Sequence, residues 1–421
     1  WLHRLRAPLE TISLAGMGIA GGADMAHFFN ATRSPRSAFY ATRRLLRHNW
    51  QRLRYGRGQH LVNGNALVAR LLRSALDADV QFQLNAPVAR LLKHNDQVIG
   101  AVLDSDEGEI TVNAGAVVLA CGGFPHDKAR LAQEVAHARH GYGHFSAAPP
   151  GNQGDGIRLG EAVGGHFDRN LKHPMAWAPV SRVTLASGLQ LAFPHLVERA
   201  KPGFIAVLPN GKRFTNEADS YHDFIAALIT ATPEGEKPQA WLLADQRTLS
   251  RYGLGHARPT PFNVKAWLRN GYLQSGETLE ALAKKCGINE AALIETVARF
   301  NGYAERGVDD EFQRGASAYN CAQGDATHHP SPTLGAIKQG PFYAVRILPG
   351  SLGSFSGLLT DERAQVLNDQ RQPIPGLYAV GNDMSSVMQG FYPSGGITLG
   401  PAMTFGYLVG KNLAANITKT A

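Results

Sequence analysis

The sequence predicts an α/β fold carrying an inserted α+β domain, and three observations carry that reading. Two alternating runs, QVIGAVLDS and GEITVN, meet at Asp106-Glu107 as a β-hairpin and lead into AGAVVLACGGF (114–124), a continuous apolar run of the kind that forms a fully covered strand. Near the C-terminus GLYAVGN passes through a glycine-rich turn into a long helical pattern from Thr398. Between these lies a stretch with two amphipathic helices at 275–314, so the chain reads as body, insertion, body over 1–165, 166–345 and 346–421.

Composition frames the elements. With 421 residues, 44% hydrophobic, 18% charged and 46 glycines, the chain is neither disordered nor collagen-like. The net charge of +8 is local, because Arg33, Arg36, Arg43, Arg44, Arg47, Arg52, Arg54 and Arg57 crowd together and the rest of the chain is balanced. That stripe reads as a solvated helix face; it leaves open a loose association with an anionic membrane surface and does not make a nucleic-acid-binding domain. Cys121, Cys286 and Cys321 lack any metal or disulfide spacing, which points to a reducing, cytoplasmic compartment. No apolar run approaches the roughly 18 to 20 residues that span a bilayer. The start, at Trp1 and not Met, reads as a truncation.

Taken in order, ETISLAGMGIAGG holds Gly16-x-Gly18-x-x-Gly21, the spacing of a pyrophosphate loop. No acid follows between Met25 and Leu76 to hold a ribose, so the motif reads as a glycine-rich turn. Segment 64–82 is a helix with Leu67, Leu71, Leu72 and Ala75 on one face, and VQFQLNAPVARLL a strand ending in a turn at Pro87. His137, His140 and His144 share i, i+3, i+7 spacing, but Gly141 and Gly143 break that helix, and no metal is expected. GDGIRLGEAVGG (154–165) is a short helix capped by Asp155 and stopped by Gly164-Gly165. In 275–314 Gly287 ends the first helix, and Asn289 and Glu290 begin the second.

The tail makes a site on its own physics. A strand ending at Gly381-Asn382 offers bare backbone and one amide, and a helix starting near Thr398 after Gly395-Gly396 turns its positive end toward whatever fills the turn.

GNALVARLL (64–72), ACGGF (120–124), GDGIRLGEAVGG, GKRFTNEADSYHDF (211–224) and the tail 341–412 together resemble the FAD-dependent fumarate reductase and succinate dehydrogenase flavoprotein superfamily, and within it the 3-oxosteroid dehydrogenases. The resemblance implies a Rossmann-like FAD-binding body lacking its first βαβ unit, with an inserted substrate or cap domain. It implies FAD held by Val88, Ala120, Cys121, Gly122, Gly123, Gly381, Asn382, Gly395, Thr398 and Leu399. Without the family's N-terminal nucleotide strand, the 421 residues are expected to hold that FAD weakly by themselves.

The turn Phe391-Tyr392-Pro393-Ser394-Gly395-Gly396 has no cation to clamp a dicarboxylate, so a neutral ketone, a 3-oxosteroid or similar apolar ring, is the expected substrate. The resemblance assigns proton abstraction to Tyr221 and the grip on the enolate oxygen to the Tyr392 hydroxyl and the Gly396 N–H, with Ser394 beside them. The Tyr392-x-Ser394 spacing is similar to Δ4-desaturating members, whereas the further tyrosine of Δ1 members, expected near Gly21 to Met25, is missing. Δ1 and Δ4 therefore both stand, as do two alternatives: a fumarate-reductase-like enzyme acting on another enone or acidic substrate, and an apolar-ligand-binding fragment without turnover. No motif names the electron acceptor.

Overall fold

The computed structural model describes residues 2–8, 13–185, 187–260 and 262–420, with side chains up to Ala415. By packing, the chain parts into two compact units, residues 1–84 with 247–267 and residues 85–246 with 268–421. The three-part expectation divides the chain by role and sequence texture, this division by packing.

The first unit is mainly helical. Ser13–Leu14 and Met17–Gly18 pair as a small antiparallel hairpin rather than a strand feeding a phosphate loop, and a Cβ on Gly18 would lie 2.7 Å from Val62 Cγ2. The Glu10–Ile12 part of that motif lies outside the described residues. The arginine-rich segment is one helix, Pro35–Tyr55, opened by proline at its first position and closed by Gly56 in the left-handed region, φ +74°. Its inward face is Ser37, Ala41, His48 and Gln51, and Arg44 reaches the buried Asp24 at 2.8 Å. The next helix, Asn63–Asp77, buries only Ala69, and Leu71 of its predicted face is exposed. Val80 to Leu84, expected as a strand, is unpaired and exposed; Pro87 breaks the run, and the strand is the segment after it, Val88–His94.

In the second unit the predicted hairpin forms, Gln97–Ser105 against Gly108–Asn113, with Val88–His94 on its other side. Val117–Leu119 lies parallel to Pro373–Ala379, which in turn pairs with Gln365–Leu367. The apolar run 114–124 thus yields only three strand residues, and with one neighbour among the described residues it leaves Val118 38% exposed. Leu119, Leu159, Leu358, Val366, Leu377 and Ala379 form the core beneath. The helix at Asp155–Ala162 is capped by Gly154 in the left-handed conformation, while Asp155, the expected cap, pairs with Arg158 instead.

The larger sheet is built on one long strand, Phe342–Ser354, flanked antiparallel by Met175–Thr184 and Ala240–Asp245. Helices Leu279–Cys286 and Glu290–Arg306 cover it, burying Leu282, Leu293, Val297 and Phe300 against Ile205 and Leu243. The stop of the first and the start of the second are as the sequence predicts: Gly287 ends the first helix at φ +67°, and Asn289 accepts from the N–H of Ala292 at 3.0 Å.

Between sheet and helices lies a buried ionic frame. Glu217 accepts from Arg213 Nε at 2.8 Å and Nη2 at 2.7 Å, from Arg314 Nη1 at 3.0 Å and from the N–H of Ala206 at 3.1 Å. Arg213 also meets Asp309 at 2.9 Å, and all four side chains are buried. Among the described residues no helix is long and apolar enough to cross a membrane.

Burial alone would raise the Glu217 carboxyl, but Arg213 and Arg314 more than offset it and hold it down to about 2. A folded pKa below the unfolded value near 4.5 stabilises the protein above about pH 4.5. That contribution should disappear as pH falls from there toward 2, as read in urea titrations. Replacing Glu217 with Gln takes the carboxylate from the buried Arg314 and leaves Arg213 to Asp309, and should cost about 3 to 5 kcal/mol in the same measurement at pH 7.

Candidate active site

The frame ends in a tyrosine. Arg199 donates to the carbonyls of Glu217 at 2.6 Å and Asp219 at 3.2 Å, and Asn320, held by Asn216, donates to the Asp219 carboxylate at 2.8 Å. The loop before residue 220 is therefore fixed at its main chain. Ser220 caps the helix Tyr221–Ala231, accepting from the N–H of His222 at 3.3 Å, and Tyr221 stands at the first helical position.

There the Tyr221 hydroxyl donates to the Tyr392 oxygen at 2.6 Å, with the rings edge to face at 4.9 Å. The two candidates lie 171 residues apart in sequence. Tyr392 is buried with Ala176, Phe355 and Ile397. His222, next in sequence to Tyr221, stacks on Tyr392 at 5.7 Å and 26°. Its Nδ1 accepts from the N–H of Trp177 at 3.2 Å, which places the imidazole proton on Nε2, and among the described residues that buried nitrogen has no partner.

Burial, and then the bond to Tyr392, raises the Tyr221 phenol well above its ordinary value; Arg199 acts in the opposite direction. Burial also raises Tyr392, although the bond from Tyr221 opposes it. A third phenol, Tyr319, acts electrostatically on both.

Phe355 and Ile397 connect this pair to a shallow, open cleft of about 20 Å3 whose wall includes Ser354, Gly381, Asn382 and Thr398. Thr398 and Pro401 in that wall bring the start of the last helix, Leu399–Thr420, to the cleft. Gly395 and Gly396 are exposed, with nothing within 4 Å of a Cβ, and Gly396 needs glycine for its φ of +95° rather than for room. Ser394 and Leu399 are exposed nearby.

The other expected cofactor residues are placed differently. The N–H groups of Cys121 and of Gly123, the latter at 2.9 Å, donate to the buried carboxylate of Asp383. A Cβ on Gly123 would come within 2.0 Å of Ser354 Oγ, and one on Gly122 within 2.6 Å of Asn152. The strand end expected to receive a ligand is thus packed against protein there, and it offers the exposed backbone of Ala120 and Cys121 instead. Val88 sits at the exposed start of its strand opposite Leu103, not in the cleft wall.

Arg199, Glu217, His222, Tyr319 and Asp383 were not singled out by sequence. A signal existed for three: Glu217 and His222 lie inside GKRFTNEADSYHDF and Asp383 directly follows Gly381-Asn382 in the tail, whereas nothing local marks Arg199 and Tyr319. Among the described residues no cluster could hold a metal. His137 and His144 instead bond each other at 3.3 Å, and His144 bonds Ser351 at 2.8 Å.

A model of the family described as FAD binding domain matches residues 5–399. A 4-oxocyclohex-2-ene-1-carboxylate 5-dehydrogenase of Sinomonas cyclohexanicum is 38% identical over 394 residues, 93% of this chain and 67% of that one. A 3-oxosteroid 1-dehydrogenase of Mycolicibacterium smegmatis is 35% identical over 396 residues, 91% of this chain and 67% of its own. The chain thus spans about two thirds of the length of these curated relatives. In structure it is similar to a 3-ketosteroid Δ1-dehydrogenase from Sterolibacterium denitrificans in complex with 1,4-androstadiene-3,17-dione, with a TM-score of 0.87 and 33% identity over 98% of this chain and 74% of that one.

Burial holds the imidazoles of His222 and His144 down to about 3 and that of His137 to about 4, below the ordinary 6.5. Unfolded chains take up these protons near pH 6.5 while the folded protein does not, so stability should fall as pH drops from 7 to 5. His144→Gln should flatten that slope by about 1.4 kcal/mol per pH unit in urea titrations; an unchanged slope would show that His144 titrates normally.

Proposed function

The chain belongs to the FAD binding domain family, and from that premise we propose that it dehydrogenates a ring beside a ketone, with a 3-oxosteroid as the leading substrate. One observation carries this reading: two phenols from distant segments joined at 2.6 Å beside the cleft, with no cation on the turn 391–396. Arg199, the guanidinium that acts electrostatically on Tyr221, donates to three carbonyls. A dicarboxylate would find no clamp on this turn, which sets the fumarate-reductase-like alternative behind.

The lining of the cleft, bare backbone with a few uncharged polar side chains and apolar surface, suits the ring end of the cofactor in chemistry. Backbone at Gly381, the side chains of Asn382, Ser354 and Thr398, and the flat apolar surfaces of Phe355 and Ile397 would hold it. The positive end of the last helix stabilises negative charge there by roughly 0.3 to 2 kcal/mol. Bound FAD supplies the acceptor for the hydride leaving the substrate ring.

The protein's own groups manage oxygen and proton. Because the Tyr392 oxygen accepts from Tyr221, its own proton is free for the ketone oxygen, alongside the Gly396 N–H on its exposed turn. Tyr221 is protonated in that bond and acts as base only after losing its own proton to solvent; the phenolate then takes the proton from the ring carbon beside the ketone while the Tyr392 hydroxyl and the Gly396 N–H hold the enolate oxygen. At pH 7 an ordinary phenol is ionised about one time in a thousand, and burial makes Tyr221 less so. Each donor to the enolate oxygen supplies roughly 2.7 to 4 kcal/mol, so the grip contributes more than the base.

Desaturation at Δ1 is the regiochemistry we favour, supported by the Δ1 activity for which the steroid relatives at 33% to 35% identity are named. A second reading, a cyclohexenone carrying a carboxylate, is supported by the relative at 38% identity. The free thiols Cys121, Cys286 and Cys321 support a reducing, cytoplasmic compartment, and the arginine helix supports a loose membrane contact.

Purified chain supplied with FAD should bleach flavin absorbance with a 4-ene-3-ketosteroid and yield the 1,4-diene. Product from 4-oxocyclohex-2-ene-1-carboxylate instead would establish the second reading, and tight steroid binding without bleaching would leave a binding fragment. Tyr392→Phe should lower turnover about a hundredfold or more, and unchanged turnover would remove Tyr392 from the mechanism. Turnover should rise continuously with pH toward the alkaline range, because Tyr221 must lose a proton held above the usual phenol value.

A further inference from the structure

We propose that the outer face of the helix Pro35–Tyr55 is a docking surface for an anionic lipid bilayer, which deepens the membrane-contact part of the reading above and is independent of the chemistry. Phe39, Leu46, Trp50 and Leu53 are 72%, 65%, 58% and 90% exposed. At 100° per residue, their spacing of seven, four and three puts them on one stripe, directly opposite the buried Ser37, Ala41 and His48. The helix is therefore apolar on the side that faces away from its own unit. A stripe of large side chains left in water in this way marks an interaction site.

Charge names the occupant. Arg36, Arg43, Arg47 and Arg54 run along one flank of the stripe, 40° to 80° round from Phe39 by the same helical geometry. Among the described residues none of the four has an ion-pair partner, whereas Arg44, on the inner side, is used by Asp24. No Asp or Glu occurs between Asp24 and Asp77, so nothing on the helix repels a phosphate headgroup. An apolar stripe rich in leucine and tryptophan beside unpaired arginines suits the boundary between headgroups and acyl chains. Trp50, edge to face with Tyr55 at 5.9 Å, has the amphipathic ring that settles at that depth. Nucleic acid would use the arginines but leave Leu46 and Leu53 in water.

The test is co-sedimentation of the purified chain with vesicles of phosphatidylcholine alone and of phosphatidylcholine mixed with phosphatidylserine, at low and high salt. Binding is expected on the mixed vesicles, weakening with salt, and a blue shift of tryptophan emission should be lost in Trp50→Phe. Leu53→Glu and the triple variant Arg43→Gln, Arg47→Gln, Arg54→Gln should each lower partitioning more than tenfold while thermal unfolding and turnover of dissolved ketone stay as they were. The exposed arginine triple guards against a failure of Leu53→Glu to fold. The proposal is overturned if partitioning is absent or indifferent to both variants. It is equally overturned if Leu53→Glu dissociates a dimer in sedimentation velocity with vesicle binding unmoved, or if the arginines bind RNA and not vesicles. Loss of turnover with vesicle binding intact would count against the ring-ketone reading alone.

Discussion

A single carboxylate holds the Tyr221 side of the candidate site in place. Glu217 is sealed from water and receives four hydrogen bonds from three directions: the strand at Ala206, the loop at Arg213 and the distant Arg314. A charge so placed is tolerable only while every donor is present, so strand, loop and helix are fixed together or not at all. The helix carrying Tyr221 starts four residues later, and its hydroxyl reaches Tyr392 because the main chain between them is anchored at both Glu217 and Asp219.

The surroundings of the phenol pair are kept electrically quiet. His222 is buried and neutral, and the guanidinium of Arg199 is directed at carbonyls. What remains is a pair of hydroxyls whose protons are held above the usual phenol range, beside a helix start that favours negative charge. That arrangement is what the proposed reaction needs, a neutral oxygen that carries a brief negative charge.

Local pattern was legible where neighbours in sequence settle the structure. The hairpin around Asp106-Glu107 and the two capped helices after Thr278 follow from alternation and end residues alone. Reading failed where a distant partner decides. The run 114–124 is apolar enough for a covered strand, but coverage depends on how many strands flank it, and among the described residues one does. Val80 to Leu84 alternates well yet finds no sheet to join. Asp155 has the chemistry of a cap, but Gly154 holds that position and Arg158 attracts the carboxylate. At the site, Tyr221 and Tyr392 were visible because they lie in distinctive segments, while Arg199 and Tyr319 lie in stretches with no local signature.

Asp383 joins Cys121 and Gly123 across some 260 residues of intervening chain, and it is buried at the junction. The two edges of the body are thereby fastened to each other directly, without relying on what is threaded between them. The intervening segment can accordingly change in length, loop shape or lining over evolutionary time while the redox chassis keeps its geometry. Diversification of the accepted rings would then proceed by remodelling the intervening segment while this joint stays fixed.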